Sequence, residues 1–183
     1  ATEALPVAAI GTHEILSDTG ARTARGEGTC VGALAPGIEV RVLEVVDGPI
    51  NPMRSARQAA PGSIGEIVVR GEAASPGYRA APGADEAAKI PDEGGTWHRM
   101  GDLGWLDDMG RLWFCGRVSH RLRTAGGMVP SDVVEGVFDG HPGVARTALV
   151  GIGQPGHEQA VLCVELSPGA TFGPDAERAL LER

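Results

Sequence analysis

A carboxylate flanked by glycines is the first feature of the sequence that could do chemistry. In the segment 98–104, Asp102 follows Gly101 and precedes Gly104, just before a sequence that is typical of a hairpin. Glycine allows the backbone to come close to a ligand, and an aspartate there can accept hydrogen bonds from vicinal hydroxyls such as those of a ribose. The alternative is an aspartate that forms a turn by capping its own backbone. The local sequence by itself favours that alternative.

A cluster of basic residues follows at 116–123, in a chain whose formal net charge is −8. Its arginines are Arg117, Arg121 and Arg123. Arginine presents a planar set of donors that matches phosphate oxygens, so the segment is a candidate site for a polyphosphate ligand. The competing interpretation is an amphipathic strand with its basic side chains in solvent, which the local sequence alone favours.

Other kinds of site have little support. The 5 histidines show no His-x-x-x-His spacing, so no metal cage is predicted and each histidine is expected on the surface or at a cap. Cys30, Cys115 and Cys163 are widely spaced within apolar runs, so we expect three small buried side chains rather than a disulfide or zinc site. The nucleophile turn Gly-x-Ser-x-Gly of many hydrolases is not found.

The charge and the apolar pattern limit the partners and the compartment. A net charge of −8 argues against a nucleic acid or an anionic membrane surface as partner. No apolar stretch approaches the ~20 residues that a membrane span needs, and the first residues lack the layout of a signal peptide. We therefore expect a cytoplasmic protein without a membrane span, whose phosphate contacts are made locally.

Up to about residue 115, the apolar residues are spaced as in short strands. Residues 37–43 alternate apolar and charged residues, and 65–71 is a β-branched run between glycines. A hairpin is predicted from strands at 104–106 and 111–115. A further strand is expected at 7–10 and a short helix at 84–90. The 28 glycines and 13 prolines favour short strands and turns over long helices.

The pattern changes after Gly116. Ser131 is a plausible N-cap for a helix that Gly140 can end, and strands at 145–152 and 160–166 and a helix at 174–183 follow. We therefore predict an α+β fold in two domains. Residues 1–115 would be a β-rich, barrel-like unit, and residues 116–183 a small α+β unit. Clefts between domains are preferred ligand sites, and the arginine cluster lies at this boundary.

Taken in order, several short motifs resemble the later core motifs of the adenylate-forming superfamily, which includes acyl-CoA synthetases, luciferases and the adenylation domains of peptide synthetases. The motifs are Thr2-Glu3, 65–71 with 76–78, 99–104, and 116–117 with 126–127 and Glu135. The resemblance covers nearly the whole chain apart from a diverged patch at about 49–60. It implies the β-rich end of a large N-terminal domain followed by a small α+β C-terminal domain.

The resemblance also implies a reaction and the residues that serve it. The expected enzyme uses ATP and Mg²⁺ to convert a carboxylic acid into an acyl-adenylate and pyrophosphate. Thr2 would contact the α-phosphate, and Glu3 would help to hold Mg²⁺. Asp102 would accept both ribose hydroxyls, and Arg117 would reach the nucleotide from the domain boundary. Mg²⁺ and arginine would offset the triphosphate charge while the acid attacks the α-phosphorus in line.

Two features of the sequence depart from the family pattern. Ser119 stands two residues after Arg117, where many members place Asp or Lys at the hinge between domains. The family's catalytic lysine lies near the end of its C-terminal domain, whereas Lys89, the only lysine here, lies in the predicted N-terminal domain. The family's glycine-rich phosphate loop is not found either. Because Ala1 has no lead-in, we expect a piece of a longer protein that lacks its N-terminal part and is inactive by itself.

Residues 1–7 and 117–121 are similar to a branch that handles long-chain acids, including fatty-acyl-AMP ligases and the β-lactone synthetases of bacterial olefin biosynthesis. The expected substrate is therefore a long-chain fatty or β-hydroxy acid, and coenzyme A is compatible with the family but not indicated. The alternative is a stand-alone nucleotide-binding or regulatory module without catalysis. A structural domain with chance motifs would require four coincidences in order.

Overall fold

The computed structural model describes residues 2–79, 81, 83–171 and 173. The strands are β1 (Ala8–Ala9), β2 (Thr29–Leu34), β3 (Glu39–Leu43), β4 (Gly65–Arg70), β5 (Lys89–Asp92), β6 (Gly95–Leu106), β7 (Arg111–Arg117), β8 (Leu122–Thr124), β9 (Gly127–Val129), β10 (Val144–Ile152) and β11 (Gln159–Leu166). The helices are α1 (Thr12–Glu14), α2 (Gly20–Thr23), α3 (Ala84–Ala88) and α4 (Ser131–Asp139). A π-helical turn (Ile15–Thr19) joins α1 to α2, and 3₁₀ turns lie at Met53–Ser55 and Val118–His120.

Seven strands form one antiparallel sheet in the order β1-β2-β7-β6-β4-β3, with β5 also paired to β6. In the described part of the chain β1 and β3 are the two ends of this path, so the sheet is open and the barrel-like closure expected for residues 1–115 is not observed. The strands β8–β9 and β10–β11 form two separate hairpins. The predicted sheet-rich α+β fold is confirmed at this level.

The core lies on both faces of the sheet, because successive side chains of β4 point to opposite sides. Ile67 and Val69 belong to one apolar cluster with Met100, whereas Val68 belongs to another with Trp97. Both clusters therefore include β4 and β6. This packing fixes β6, the strand that carries Asp102.

The helix α4 packs on β10 and reaches β7. A Cβ atom added to Gly116 would lie 2.6 Å from Asp132 Oδ1, which shows how closely the helix approaches the end of β7. The Leu149 amide donates to Glu135 Oε1 at 2.7 Å and ties α4 to β10. Glu135, one of the motif residues, thus has a structural contact, and the domain boundary near 116–119 stays a prediction.

Most of the predicted strands are confirmed. The strands at 37–43, 65–71, 145–152 and 160–166 correspond to β3, β4, β10 and β11, and the predicted hairpin corresponds to the end of β6 with β7. The strand β6 is longer than predicted because its first half pairs with β5. For the same reason the helix predicted at 84–90 ends at Ala88, since Lys89 and Ile90 are buried in the strand that follows.

Several other predictions need correction. Ser131 is the first residue of α4 rather than its N-cap, because Pro130 occupies the capping position and Ser131 Oγ hydrogen-bonds Asp132 Oδ1 at 3.1 Å. The strand expected at 7–10 is reduced to β1. The helical segment 12–23, β2 and the β8–β9 hairpin were not predicted. The helix predicted at 174–183 lies outside the described residues.

None of the helices in the described ranges is long and apolar enough to cross a membrane.

Candidate functional site

Asp102 and Arg117, both predicted to bind the nucleotide, form an ion pair. They are cross-strand partners on β6 and β7, and Arg117 Nη1 donates to Asp102 Oδ1 at 2.5 Å. The same nitrogen lies 3.3 Å from the carbonyl oxygen of Met100. The Asp102 side chain is 12% exposed, whereas that of Arg117 is 47% exposed. The carboxylate is thus held at a defined place while the guanidinium remains accessible.

The turn-capping alternative for Asp102 is not supported. Asp107 is the aspartate that closes the β6–β7 turn, because its Oδ1 accepts from the amides of Met109 at 3.0 Å and Arg111 at 2.9 Å. Gly104, two residues after Asp102, was expected to let the backbone approach a ligand, but the structure gives another reason for it. A Cβ atom on Gly104 would lie 2.3 Å from the carbonyl oxygen of Trp113, so the neighbouring strand requires glycine there.

Glu3 is held at both its main chain and its side chain. The Ser75 amide donates to the Glu3 carbonyl at 2.6 Å, and Tyr78 Oη donates to Glu3 Oε1 at 3.0 Å. The pKa of the Glu3 carboxyl is lowered, first by a hydrogen bond with its own backbone and then by the Tyr78 hydroxyl. Glu3 is therefore a carboxylate suited to a cation.

A cleft of about 250 Å³ lies beside Asp102. Ala4, next to Glu3, and Asp102 both line it, and the rest of its wall comes from residues 5–8 and from Val31, Ile67, Met100, Leu112 and Phe114. A mostly apolar wall that includes one carboxylate is a composition common to small-molecule sites. A larger hollow of about 550 Å³, lined by Pro52, Arg54 and residues 91–93, includes none of the predicted site residues.

The other residues of the arginine cluster lie away from Asp102. Arg121 Nη2 donates to Asp47 Oδ1 at 2.5 Å, and Arg123 Nη1 lies 3.5 Å from Asp47 Oδ2. The arginine cluster is therefore divided between two carboxylates, Asp102 and Asp47. The competing interpretation was an amphipathic strand with its basic side chains in solvent, and these ion pairs agree with it only in part. Ser119 is exposed in the 3₁₀ turn that follows Arg117, and its role as a hinge stays a prediction. Residue 2, the predicted phosphate contact, is exposed.

The sequence reasoning missed a buried polar group beside Glu3. Lys89 is 8% exposed and His98 is 2% exposed, and the two face each other across β5 and β6. The His98 ring lies edge-on to that of Tyr78, with 6.3 Å between the centroids. Burial lowers the pKa of both Lys89 and His98. The prediction that every histidine lies at the surface or a cap is wrong for His98, because strand pairing places it inside.

The cysteine prediction also needs correction, because Cys163 is exposed on β11 while Cys30 and Cys115 are buried. Burial raises the pKa of the Cys115 thiol to about 12. In the described ranges no group of three or more His, Cys, Asp or Glu side chains could hold a metal ion. Mg²⁺ does not need such a cage, since one or two carboxylates together with substrate phosphates commonly hold it. Glu3 fits that role.

Comparisons with known proteins define the class. No protein-family model matches the chain. The chain is 46% identical over 185 residues to the olefin beta-lactone synthetase of Stenotrophomonas maltophilia, covering 98% of this chain and 33% of that protein. The olefin beta-lactone synthetase of Xanthomonas campestris pv. campestris is 45% identical over 182 residues, covering 97% of this chain and 33% of that protein. The solved structure of ATP-bound MatB from Rhodopseudomonas palustris matches with a TM-score of 0.67 and 27% identity, covering 84% of this chain and 28% of that one.

The chain belongs to the adenylate-forming superfamily and corresponds to a C-terminal portion of its members. It spans about a third of the length of the curated relatives that it matches. The family resemblance of the motifs is thereby confirmed.

Proposed function

We propose that the chain is part of an ATP-dependent enzyme that activates a long-chain fatty or β-hydroxy acid as its acyl-adenylate. The observation that carries the proposal is the ion pair between Asp102 and Arg117. The Asp102 member of the pair lines a cleft together with Ala4, the residue after Glu3. The similarity to two olefin beta-lactone synthetases and to ATP-bound MatB supports the same reaction class.

In this proposal Asp102 and Arg117 bind the nucleotide together. The recorded hydrogen bond uses Asp102 Oδ1, and the second oxygen of the carboxylate can accept from a ribose hydroxyl. Arg117 is exposed enough to leave the pair and donate to the nucleotide. When the nucleotide binds, the buried Asp102 carboxylate would therefore give up its contact with the exposed Arg117 and bind the ribose instead.

Thr2 and Glu3 serve the phosphates in this proposal. Thr2 would donate its hydroxyl to the α-phosphate, and the ionised Glu3 would hold Mg²⁺. When bound, Mg²⁺ would offset the charge on the phosphate oxygens. The carboxylate of the acid then attacks the α-phosphorus, a bond forms between the acid oxygen and phosphorus, and pyrophosphate leaves.

The rest of the enzyme would supply what this chain lacks. We propose that residues 1–115 end the large nucleotide-binding domain, that residues 116–183 begin the small C-terminal domain, and that Ser119 lies at the hinge. Lys89, the only lysine, is buried and bonded to Ser75, so it does not replace the family's catalytic lysine. The chain by itself should therefore be inactive. The alternative of a stand-alone regulatory module is not favoured, because the two olefin beta-lactone synthetases that the chain resembles align with 98% and 97% of it.

The experiment that tests the proposal uses the intact enzyme with ATP, Mg²⁺ and a long-chain β-hydroxy acid, with and without coenzyme A. Release of AMP without coenzyme A is the expected result for the β-lactone branch, in which the β-hydroxyl attacks the acyl carbonyl and displaces AMP. A strict requirement for coenzyme A would place the enzyme with the acyl-CoA synthetases instead. No nucleotide turnover with any acid would contradict the proposed function.

A further inference from the structure

A buried lysine, Lys89, contacts the segment 75–78, and that segment hydrogen-bonds Glu3. Lys89 Nζ donates to the carbonyl oxygen of Ser75 and, at 3.1 Å, to its Oγ, and it lies 5.6 Å from the centre of the Tyr78 ring. A buried ammonium group is unfavourable unless its donors are satisfied and it gains such contacts. Lys89 therefore fastens the segment 75–78 to β5.

That segment meets Glu3 at two points. Ser75 donates its amide to the Glu3 carbonyl at 2.6 Å, and Tyr78 donates its hydroxyl to Glu3 Oε1 at 3.0 Å. The Tyr78 amide is itself held by Asp85 Oδ1 at 2.8 Å, near the start of α3. The main chain and the carboxylate of Glu3 are thus each bonded to a residue that Lys89 contacts.

The opposite strand places His98 beside Lys89. His98 is paired with Lys89 across β5 and β6, and its Nδ1 has no hydrogen-bond partner among the described residues. Burial, followed by the charge of Lys89, lowers the pKa of His98. Burial lowers the pKa of Lys89, and the charges of Asp85 and then Glu3 oppose that shift.

We propose that Lys89 is a positioning residue for Glu3, an inference that rests on the proposed function. Lys89 touches neither acid nor nucleotide in this account. It anchors Ser75 and Tyr78, and these two residues orient the Glu3 carboxylate toward the cation and the phosphates. Groups that hydrogen-bond a metal-holding side chain commonly change metal affinity by about 10- to 100-fold when they are removed.

The test measures binding of Mn²⁺, used in place of Mg²⁺, to the intact enzyme with α,β-methylene-ATP, by the electron paramagnetic resonance of free Mn²⁺. Lys89→Met should raise the Kd for Mn²⁺ by about 10-fold, and Lys89→Arg should restore part of the loss. In a Glu3→Gln background, Lys89→Met should change that Kd by less than about 2-fold, because the carboxylate that Lys89 positions is already replaced. A merely structural lysine would lower the Tm but leave the Kd unchanged.

A Kd for Mn²⁺ that Lys89→Met leaves within about 2-fold of the wild type would overturn the inference, as would an equal loss in the Glu3→Gln background. If Lys89→Met does not fold, Tyr78→Phe decides, because it removes only the hydroxyl that meets Glu3, and an unchanged Kd then overturns the inference. Pyrophosphate exchange by the wild type distinguishes a failure of the proposed function from a failure of the role of Lys89. No exchange contradicts the proposed function, whereas exchange with unchanged Mn²⁺ binding in the variant contradicts only the role of Lys89.

Discussion

Replacing Arg99 by methionine should destabilise the fold strongly, because it leaves a buried carboxylate without its partner. Arg99 Nε and Nη2 donate to the two oxygens of Glu66 at 3.0 and 2.6 Å, and the two side chains are 10% and 3% exposed. Arg99 also donates to the carbonyl oxygens of Gly48 at 2.6 Å and Val46 at 3.1 Å. The pair joins β4 to β6, three residues before Asp102.

The size of the effect follows from burial. Removing one partner of a buried ion pair commonly costs about 3–5 kcal/mol, whereas an exposed pair contributes about 0–1 kcal/mol. We therefore expect a loss of about 3–5 kcal/mol in the free energy of unfolding for Arg99→Met. The matched control is Arg146→Met, because Arg146 and its partner Glu165 are 78% and 55% exposed, and it should cost less than about 1 kcal/mol.

The assay is guanidinium chloride unfolding of this chain, followed by tryptophan fluorescence, to which Trp97 and Trp113, both 0% exposed, contribute. The double variant Arg99→Met/Glu66→Met should recover part of the loss, because no charge is then left buried. The reasoning would be refuted by an Arg99→Met variant within about 1 kcal/mol of the wild type. It would also be refuted by a double variant less stable than the single one.

Three further predictions concern the chain itself. Burial lowers the pKa of His98, so as the pH falls this histidine takes up a proton in the unfolded chain before it does so in the folded chain. The free energy of unfolding should therefore fall as the pH drops below about 6.5, by at most about 1.4 kcal/mol per pH unit from this group. His98→Asn should flatten that fall, whereas the exposed His13→Asn should not; equal slopes in pH-dependent unfolding would contradict this. Cys163 alone should react with a maleimide in the folded chain, and mass spectrometry showing a second label before unfolding would contradict the burial of the other two thiols. The purified chain should not exchange pyrophosphate into ATP with medium- or long-chain acids, and exchange above a no-enzyme control would mean that residues present here do the work assigned to the rest of the enzyme.

The candidate site residues come from motifs in the sequence, and their roles stay predictions. Asp102 beside Gly101 and Arg117 after Gly116 were singled out by the order of several motifs along the chain, because the neighbouring residues alone favoured a turn cap and a solvent-facing strand. That they pair could not be predicted, because their register depends on the length of the β6–β7 turn and on an irregularity between Leu103 and Gly104. The burial of Lys89 was missed for a similar reason, since it follows from the pairing of β5 with β6 and not from any local pattern. The available indication that Lys89 has a special role was that it is the only lysine in the sequence.

The fold shows the same division. The strands β3, β4, β10 and β11 could be predicted because their apolar residues recur with a strand's period. The segment 12–23 could not, because its α-helices have 3 and 4 residues and are joined by a π-helical turn, so no helical period is established. The open edge of the sheet depends on which strands meet across long separations, which a periodic pattern does not encode.

The most direct test of the central claim is pyrophosphate exchange into ATP by the intact enzyme, with a long-chain β-hydroxy acid, comparing Asp102→Ala with Asp108→Ala. Asp108 is an exposed carboxylate in the β6–β7 turn and is the matched control. A hydrogen bond to a charged acceptor is worth roughly 1.5–3 kcal/mol, so losing the one to the ribose in Asp102→Ala should raise the KM for ATP by at least about 10-fold. Asp108→Ala should leave it unchanged. An unchanged KM for ATP in Asp102→Ala, or no exchange by the wild type, would contradict the account.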